Sequence, residues 1–412
     1  MARQQQSKSP PPQGLFRDIL LDPERERIPE AAPVVSLGEE DDPAFLSEIR
    51  RRQRARIELR RRGEPHGTLA ALHPAGLLPP RPRRKRREVI RSQRWRAAQP
   101  VLLPGVAEPP RGLGRRVEAL HRRLSDPAGL APWLAERGLG PAADPAELFD
   151  PERDLDRRLL EGVGGGPAGL WAKTGRLSTH PGDRSLRLRI SFGVEGDDDA
   201  SHDEARQRAS GEVGLRALPG AREALGPEVR ELLERTAEAR LLPSQPIAYW
   251  NAPNGGARFH HDAFAEDAGG QRGVLFWQGH GRTLWLALSV EELGLRVREF
   301  LSWLDEGEMP WLREELAPGA ADWARLTDVA SSRAVLLHEL AQPGCGLLGP
   351  LVDRGPEFTT YLADAGHAVL LSPGDVLLLP NHGLDRTAMH SVFHAGGEIA
   401  YGLSFGLREE LR

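Results

Sequence analysis

The sequence predicts a mainly β chain of the α+β class, with a closed or sandwiched sheet domain over about 165–412. Two observations carry this. Short apolar or alternating segments follow one another from Leu186 to Phe405, divided by Gly and Pro turns, as in barrels and sandwiches. A long interruption late among them, about 291–340, has the 3.6-residue period of helices, with Leu293, Val297, Phe300, Leu301 and Leu304 on one stripe.

Residues 1–40 carry Ser9-Pro10-Pro11-Pro12, scattered acids and few apolar side chains, so a disordered tail is expected. Residues 41–164 read as a basic, helical extension. A helix capped by Asp41 or Asp42 runs through Phe45, Ile49 and Ile57 to Arg60-Arg61-Arg62 and stops at Gly63; short helices follow over 114–160. Leu186 to Phe192 alternates apolar and polar, the mark of a half-buried strand, and a helix is expected over 202–240. Strands then fall at Ile247–Asn251, Arg258–Phe264, Val274–Gln278 and Thr283–Ser289. After the helical insertion they resume at Ala368–Leu371, Val376–Leu379, Ser391–Phe393 and Ile399–Phe405. An insertion of some fifty residues suits a lid or a packing platform.

Composition narrows the function. Cys345 is the single cysteine, which excludes an intramolecular disulfide and a thiolate zinc cage and fits a reducing cytoplasm. No apolar run is long enough for a membrane span, and Met1–Gln13 lacks the apolar stretch of a signal peptide. Lysine is confined to Lys8, Lys85 and Lys173, while Arg, Ala, Gly and Pro abound, a bias expected of a GC-rich bacterial genome. Net charge is −4, but residues 1–125 hold 27 Lys and Arg against 15 Asp and Glu, and the remainder 28 against 44. The runs at 50–62 and 83–96 are candidates for polyanion contact; with only Trp95 among them, a solvated tail is the plainer expectation.

The chemistry gathers around Phe259-His260-His261-Asp262. On a strand, His260 and Asp262 share one face and His261 takes the other. An imidazole and a carboxylate are two corners of a facial triad, which leaves coordination positions open and suits Fe(II). The third corner is His390, at the start of a strand, or His394, four residues on. Tyr249 and Asn251, spaced by two on the preceding strand, face the same cavity.

The order His260-x-Asp262, then Pro373-Gly374-Asp375-Val376 with an apolar run to Pro380, then His390-Ser391-Val392, resembles the JmjC-type and cupin-like Fe(II)/2-oxoglutarate oxygenases across about 245–408. The resemblance implies a double-stranded β-helix (jelly roll), with His260, Asp262 and His390 as metal ligands and catalytic residues. It also implies Fe(II) and 2-oxoglutarate as cofactors. It points to Arg282, with Thr283 beside it, as the grip on the far carboxylate, or else to Arg408 on the last strand; a guanidinium holds a carboxylate bidentately. The substrate, a peptide, protein or small molecule, is not written in the residues. A cupin metalloenzyme that does not use 2-oxoglutarate (an isomerase or direct dioxygenase) and a non-catalytic polyanion-binding protein are the competing readings.

Overall fold

The computed structural model describes residues 16–17, 64–65, 84–140, 146–150, 154–161, 170–176, 184–192, 203–252, 256–263, 270–307, 310–317, 319–352, 356–395 and 397–410. The expected tail and the helix expected over 42–63 lie almost wholly outside them.

Thirteen strands build two antiparallel sheets. They are β1 (Val101–Leu103), β2 (Ala146–Asp150), β3 (Asp154–Glu161), β4 (Leu170–Arg176), β5 (Leu186–Phe192), β6 (Leu241–Asn251), β7 (Gly256–His260), β8 (Gln271–His280), β9 (Thr283–Ser289), β10 (Ala368–Leu371), β11 (Val376–Pro380), β12 (Ala388–His394) and β13 (Ala400–Glu409). The larger sheet has the order β1-β11-β8-β13-β6-β5-β4-β3-β2 and the smaller β10-β9-β12-β7. Strands β6 to β13 are therefore shared four and four between facing sheets, in the order of a double-stranded β-helix.

Side-chain alternation sorts the core into three layers. Leu275, Trp277, Leu403 and Phe405 point out of the larger sheet into the N-terminal helices. Leu284, Leu286 and Phe393 point out of the smaller sheet into the helical insertion. Val274, Phe276, Trp285, Val369, Leu377 and Val392 fill the space between the sheets. Gly402 makes that filling possible, because a Cβ there would stand 2.2 Å from the Phe276 ring.

The N-terminal helices are pinned to the larger sheet by buried polar tips. Trp250 Nε1 donates to Val117 O at 2.9 Å, Trp277 Nε1 to Ala107 O at 2.8 Å, and Tyr401 Oη to Pro219 O at 3.0 Å. Helix α1 (Arg84–Arg96) buries Trp95, and Ser92 donates to Arg235 O at 3.1 Å. The turn from β10 to β11 is closed by Gly374 at φ +100, the left-handed region glycine allows, and by the Asp375 carboxylate, which accepts from the Ser372 and Gly105 amides at 2.8 Å.

Three expectations differ from the structure. Within 114–160, helices end at Ala135 and strands β2 and β3 follow, paired in sequence onto β4. Their residues are weak strand formers, and pairing at a sheet edge overrides that preference. The 202–240 helix is broken at Pro219-Gly220 and Gly226-Pro227 into three. The insertion continues past 340 in further short helices to His367.

Candidate metal centre

His260 ends β7, and in register it sits directly opposite His390 on β12; their ring centroids are 4.1 Å apart. Asp262 falls just beyond the end of β7, outside any strand, yet its carboxylate comes back to both rings. Oδ1 stands 3.8 Å from His260 Nε2 and Oδ2 3.7 Å from His390 Nε2. One donor atom from each of the three residues lies within 4.8 Å of the others. Facial donors on one ion with bonds of about 2.1 Å stand about 3 Å apart, so the three groups would draw in by under an ångström to hold it.

Tautomers suit the same purpose. The Arg258 carbonyl can only accept, so His260 Nδ1 donates to it at 2.7 Å, and Nε2 is the ring atom turned toward Asp262. For His390 the Ala388 carbonyl stands in the corresponding place, but the contact misses hydrogen-bond geometry and leaves Nδ1 buried without a partner. Burial, then the neighbouring His260, lowers the His390 pKa to about 3, so the ring is neutral at ordinary pH. Burial pushes the Asp262 carboxyl up, but His390, His260, His261 and Arg189 pull harder and hold it below its ordinary value. A neutral imidazole and an ionised carboxylate are the states metal ligands need. The centre is open on one side: His260 and Asp262 are 43% and 37% exposed, against 5% for His390.

Behind His390 lies Trp285, stacked on it with centroids 5.3 Å apart and planes at 22°. The indole Nε1 donates to Thr283 Oγ1 at 2.9 Å, Thr283 donates to Gln278 Oε1 at 2.7 Å, and Gln278 Nε2 donates to the His280 carbonyl at 2.7 Å. Thr283 is thus engaged in holding Trp285. Arg282 is not brought to the triad. It precedes β9 and shares the parity of Leu284, which packs outward. It also lies five residues from Ala287, the residue opposite His390, roughly 16 Å along the strand.

The other expected residues fall inward. Tyr249 pairs with Gly402 and Arg187 across its two neighbouring strands; burial raises its pKa, Arg187 opposes this and Asp262 adds to it. Asn251 is buried on the same face of β6. Arg408 is 2% exposed, its guanidinium 5.5 Å from the centre of the Phe192 ring, and burial followed by Arg189 lowers its pKa to about 10. His394, the alternative ligand, is fully buried four residues up β12 from His390, and its Nε2 donates to Glu398 O at 2.6 Å.

Arg189 escaped the sequence reading. Its charge reaches Asp262, Tyr249 and Arg408, and its Nη2 donates to Gln245 Oε1 at 2.6 Å. The signal was present in the alternation of β5. Arg187, Arg189 and Ser191 are the polar face of that alternation, and because β5 extends the larger sheet beside β6, that face turns toward the site.

No protein-family model matches the chain, and no curated protein does. Among solved structures it is similar to the Escherichia coli protein ycfD, with a TM-score of 0.29 and 16% identity over 77% of this chain and 52% of that one. This chain thus spans about half the length of that relative. It is also similar to SnoK, a non-heme α-ketoglutarate-dependent carbocyclase from nogalamycin biosynthesis, with a TM-score of 0.31 and 11% identity over 77% and 83% of the two chains. A third is a 2OG-Fe(II) oxygenase family oxidoreductase from Burkholderia pseudomallei, with a TM-score of 0.29 and 10% identity over 78% and 90%. At such scores these likenesses are distant, and the chemistry of the site rests on its own geometry.

Proposed function

We propose that this chain is an Fe(II)- and 2-oxoglutarate-dependent oxygenase, a hydroxylase acting on a peptide side chain or a small molecule. The observation that carries the reading is the meeting of His260, Asp262 and His390 at the open end of a double-stranded β-helix. Two neutral nitrogens and one carboxylate leave half of an octahedral sphere vacant, the donor set expected for Fe(II) with a chelating co-substrate. Bound together, the metal and 2-oxoglutarate would supply the oxidation of a substrate C–H bond by O2, with release of succinate and CO2.

The protein's own residues prepare that chemistry. His260 and His390 hold their lone pairs on a common point, and Trp285 fixes the inner ring. Arg189, with Arg408 behind it and Tyr249 beside it, is the cationic wall that would receive the distal carboxylate, in place of Arg282. Apolar side chains between the sheets exclude water from the deep side, while exposed His260 and Asp262 mark the entry. The single cysteine and the arginine-rich, lysine-poor composition fit a bacterial, cytoplasmic enzyme.

A second reading, a cupin metalloenzyme that does not use 2-oxoglutarate, is favoured by one observation: the inward positions of β9 are Thr283, Trp285 and Ala287, none of them cationic. Anaerobic titration with Fe(II) and then 2-oxoglutarate separates the two. The first reading expects both to bind, and succinate to form, in the wild type and neither in His390→Ala. Metal binding without 2-oxoglutarate binding would establish the second reading, and succinate formation persisting in Asp262→Ala would overturn the first.

A further inference from the structure

The segment 259–263 that carries His260 and Asp262 has a second side, and it is fastened to the helical insertion. Phe259 is buried among insertion side chains, and Cys345 Sγ approaches its carbonyl at 3.8 Å. His261 goes further, because both of its ring nitrogens are engaged. Nε2 donates to the Ala341 carbonyl at 3.1 Å, and Nδ1 accepts from the Ala263 amide at 3.2 Å. Ala341 is the last residue of the helix Arg333–Ala341, where carbonyls have no partner within the helix. The two bonds straddle Asp262: one side is tied to the insertion, and the other folds the chain back on itself through Ala263. Asp262 has left the sheet, since β7 ends at His260, so no strand ladder holds its backbone.

We propose that His261 is a positioning residue for the metal-ligating arm: by bridging the Ala341 carbonyl and the Ala263 amide it sets Asp262 against His260 and His390, and so couples metal affinity to the helical insertion. The inference rests on the metal-site reading above. It needs no charge on His261, because a donating Nε2 and an accepting Nδ1 describe the neutral ring.

The test is titration of full-length protein with Co(II) alone, followed by its visible absorption, with thermal unfolding of the metal-free protein alongside. Partners that orient a ligand from outside the coordination sphere are typically worth 10–100-fold in metal affinity. His261→Ala is expected to weaken Co(II) by about that factor. His261→Gln, whose amide can still donate to Ala341, is expected to recover most of it. Should His261→Ala not fold, His261→Asn, which keeps only the contact with Ala263, takes its place with the same expected weakening. Wild-type affinity in His261→Ala, or equal weakening in His261→Gln, would overturn the tether. Failure of the wild type to bind Co(II) would instead bring down the metal reading itself, and the inference with it; a His390→Ala control distinguishes specific from surface binding.

Discussion

The Trp285 indole lies nearly parallel to the His390 imidazole, 5.3 Å between ring centres, and its Nε1 is tied through Thr283 to Gln278. The His390 ring is therefore oriented by packing on one face and by a buried chain of hydrogen bonds behind that packing. Replacing Trp285 with Ala removes both. About 3–5 kcal/mol of stability should go with the indole, and Co(II) affinity should fall because His390 can rotate. Trp285→Phe keeps a stacked ring and loses only the bond to Thr283, so calorimetric unfolding should show a smaller loss and metal titration a near-normal affinity. Equal metal affinity in Trp285→Ala and wild type would mean that the strand alone holds the ring.

Metal binding should stabilise the native chain, since the unfolded chain cannot gather His260, Asp262 and His390. At a free concentration about 100 times Kd the gain is about 2.7 kcal/mol. Thermal unfolding with and without a chelator measures it. The difference should vanish in Asp262→Ala, and a chelator effect that survives there would place the ion elsewhere.

Much of this centre is legible in the sequence. His260, Asp262 and His390 are brought together as the sequence spacing expects, and Tyr249 and Asn251 share one face of β6, although Asp262 lies just past the end of β7. Arg189 is not legible that way. Whether the polar face of a strand meets water or a cavity depends on what pairs beside it, and the pairing of β5 with β6 spans a helical excursion of about fifty residues. The distance of Arg282 from the triad is hidden for the opposite reason, because a loop residue has no parity until the first ladder bond is known. The helices beyond 340 are equally hidden, since they are short, Gly- and Pro-rich, and stable only by packing on the smaller sheet.

The exchange of Arg282 for Arg189 gives a direct contrast. Arg189→Met removes the guanidinium whose charge reaches Asp262, Tyr249 and Arg408, together with its contact over the Trp171 ring at 5.5 Å, and keeps a side chain of similar length. A charge-assisted hydrogen bond contributes about 1.5–3 kcal/mol, so 2-oxoglutarate binding followed by calorimetry should weaken roughly 10- to 100-fold. Arg282→Ala should leave it unchanged. The reverse pattern would return the anchor to β9.

Acid should destabilise the chain partly through His367, at the end of the insertion. Its Nε2 accepts from Arg296 Nε at 3.2 Å, which requires a neutral ring. Burial, then Arg296 and Arg94, lowers its pKa from 6.5 to about 3. Below pH 6.5 the unfolded chain takes up a proton here that the native chain refuses, so stability falls as pH falls and the loss ends only near pH 3. The slope from this one group approaches about 1.4 kcal/mol per pH unit. His390, whose pKa burial also lowers to about 3, adds a similar slope in metal-free protein. Urea unfolding of the metal-free protein between pH 4 and 7 should therefore show a steep dependence in the wild type and one flatter by the His367 share in His367→Gln. Coincident slopes would mean that His367 becomes charged in the folded chain at the expense of its bond to Arg296.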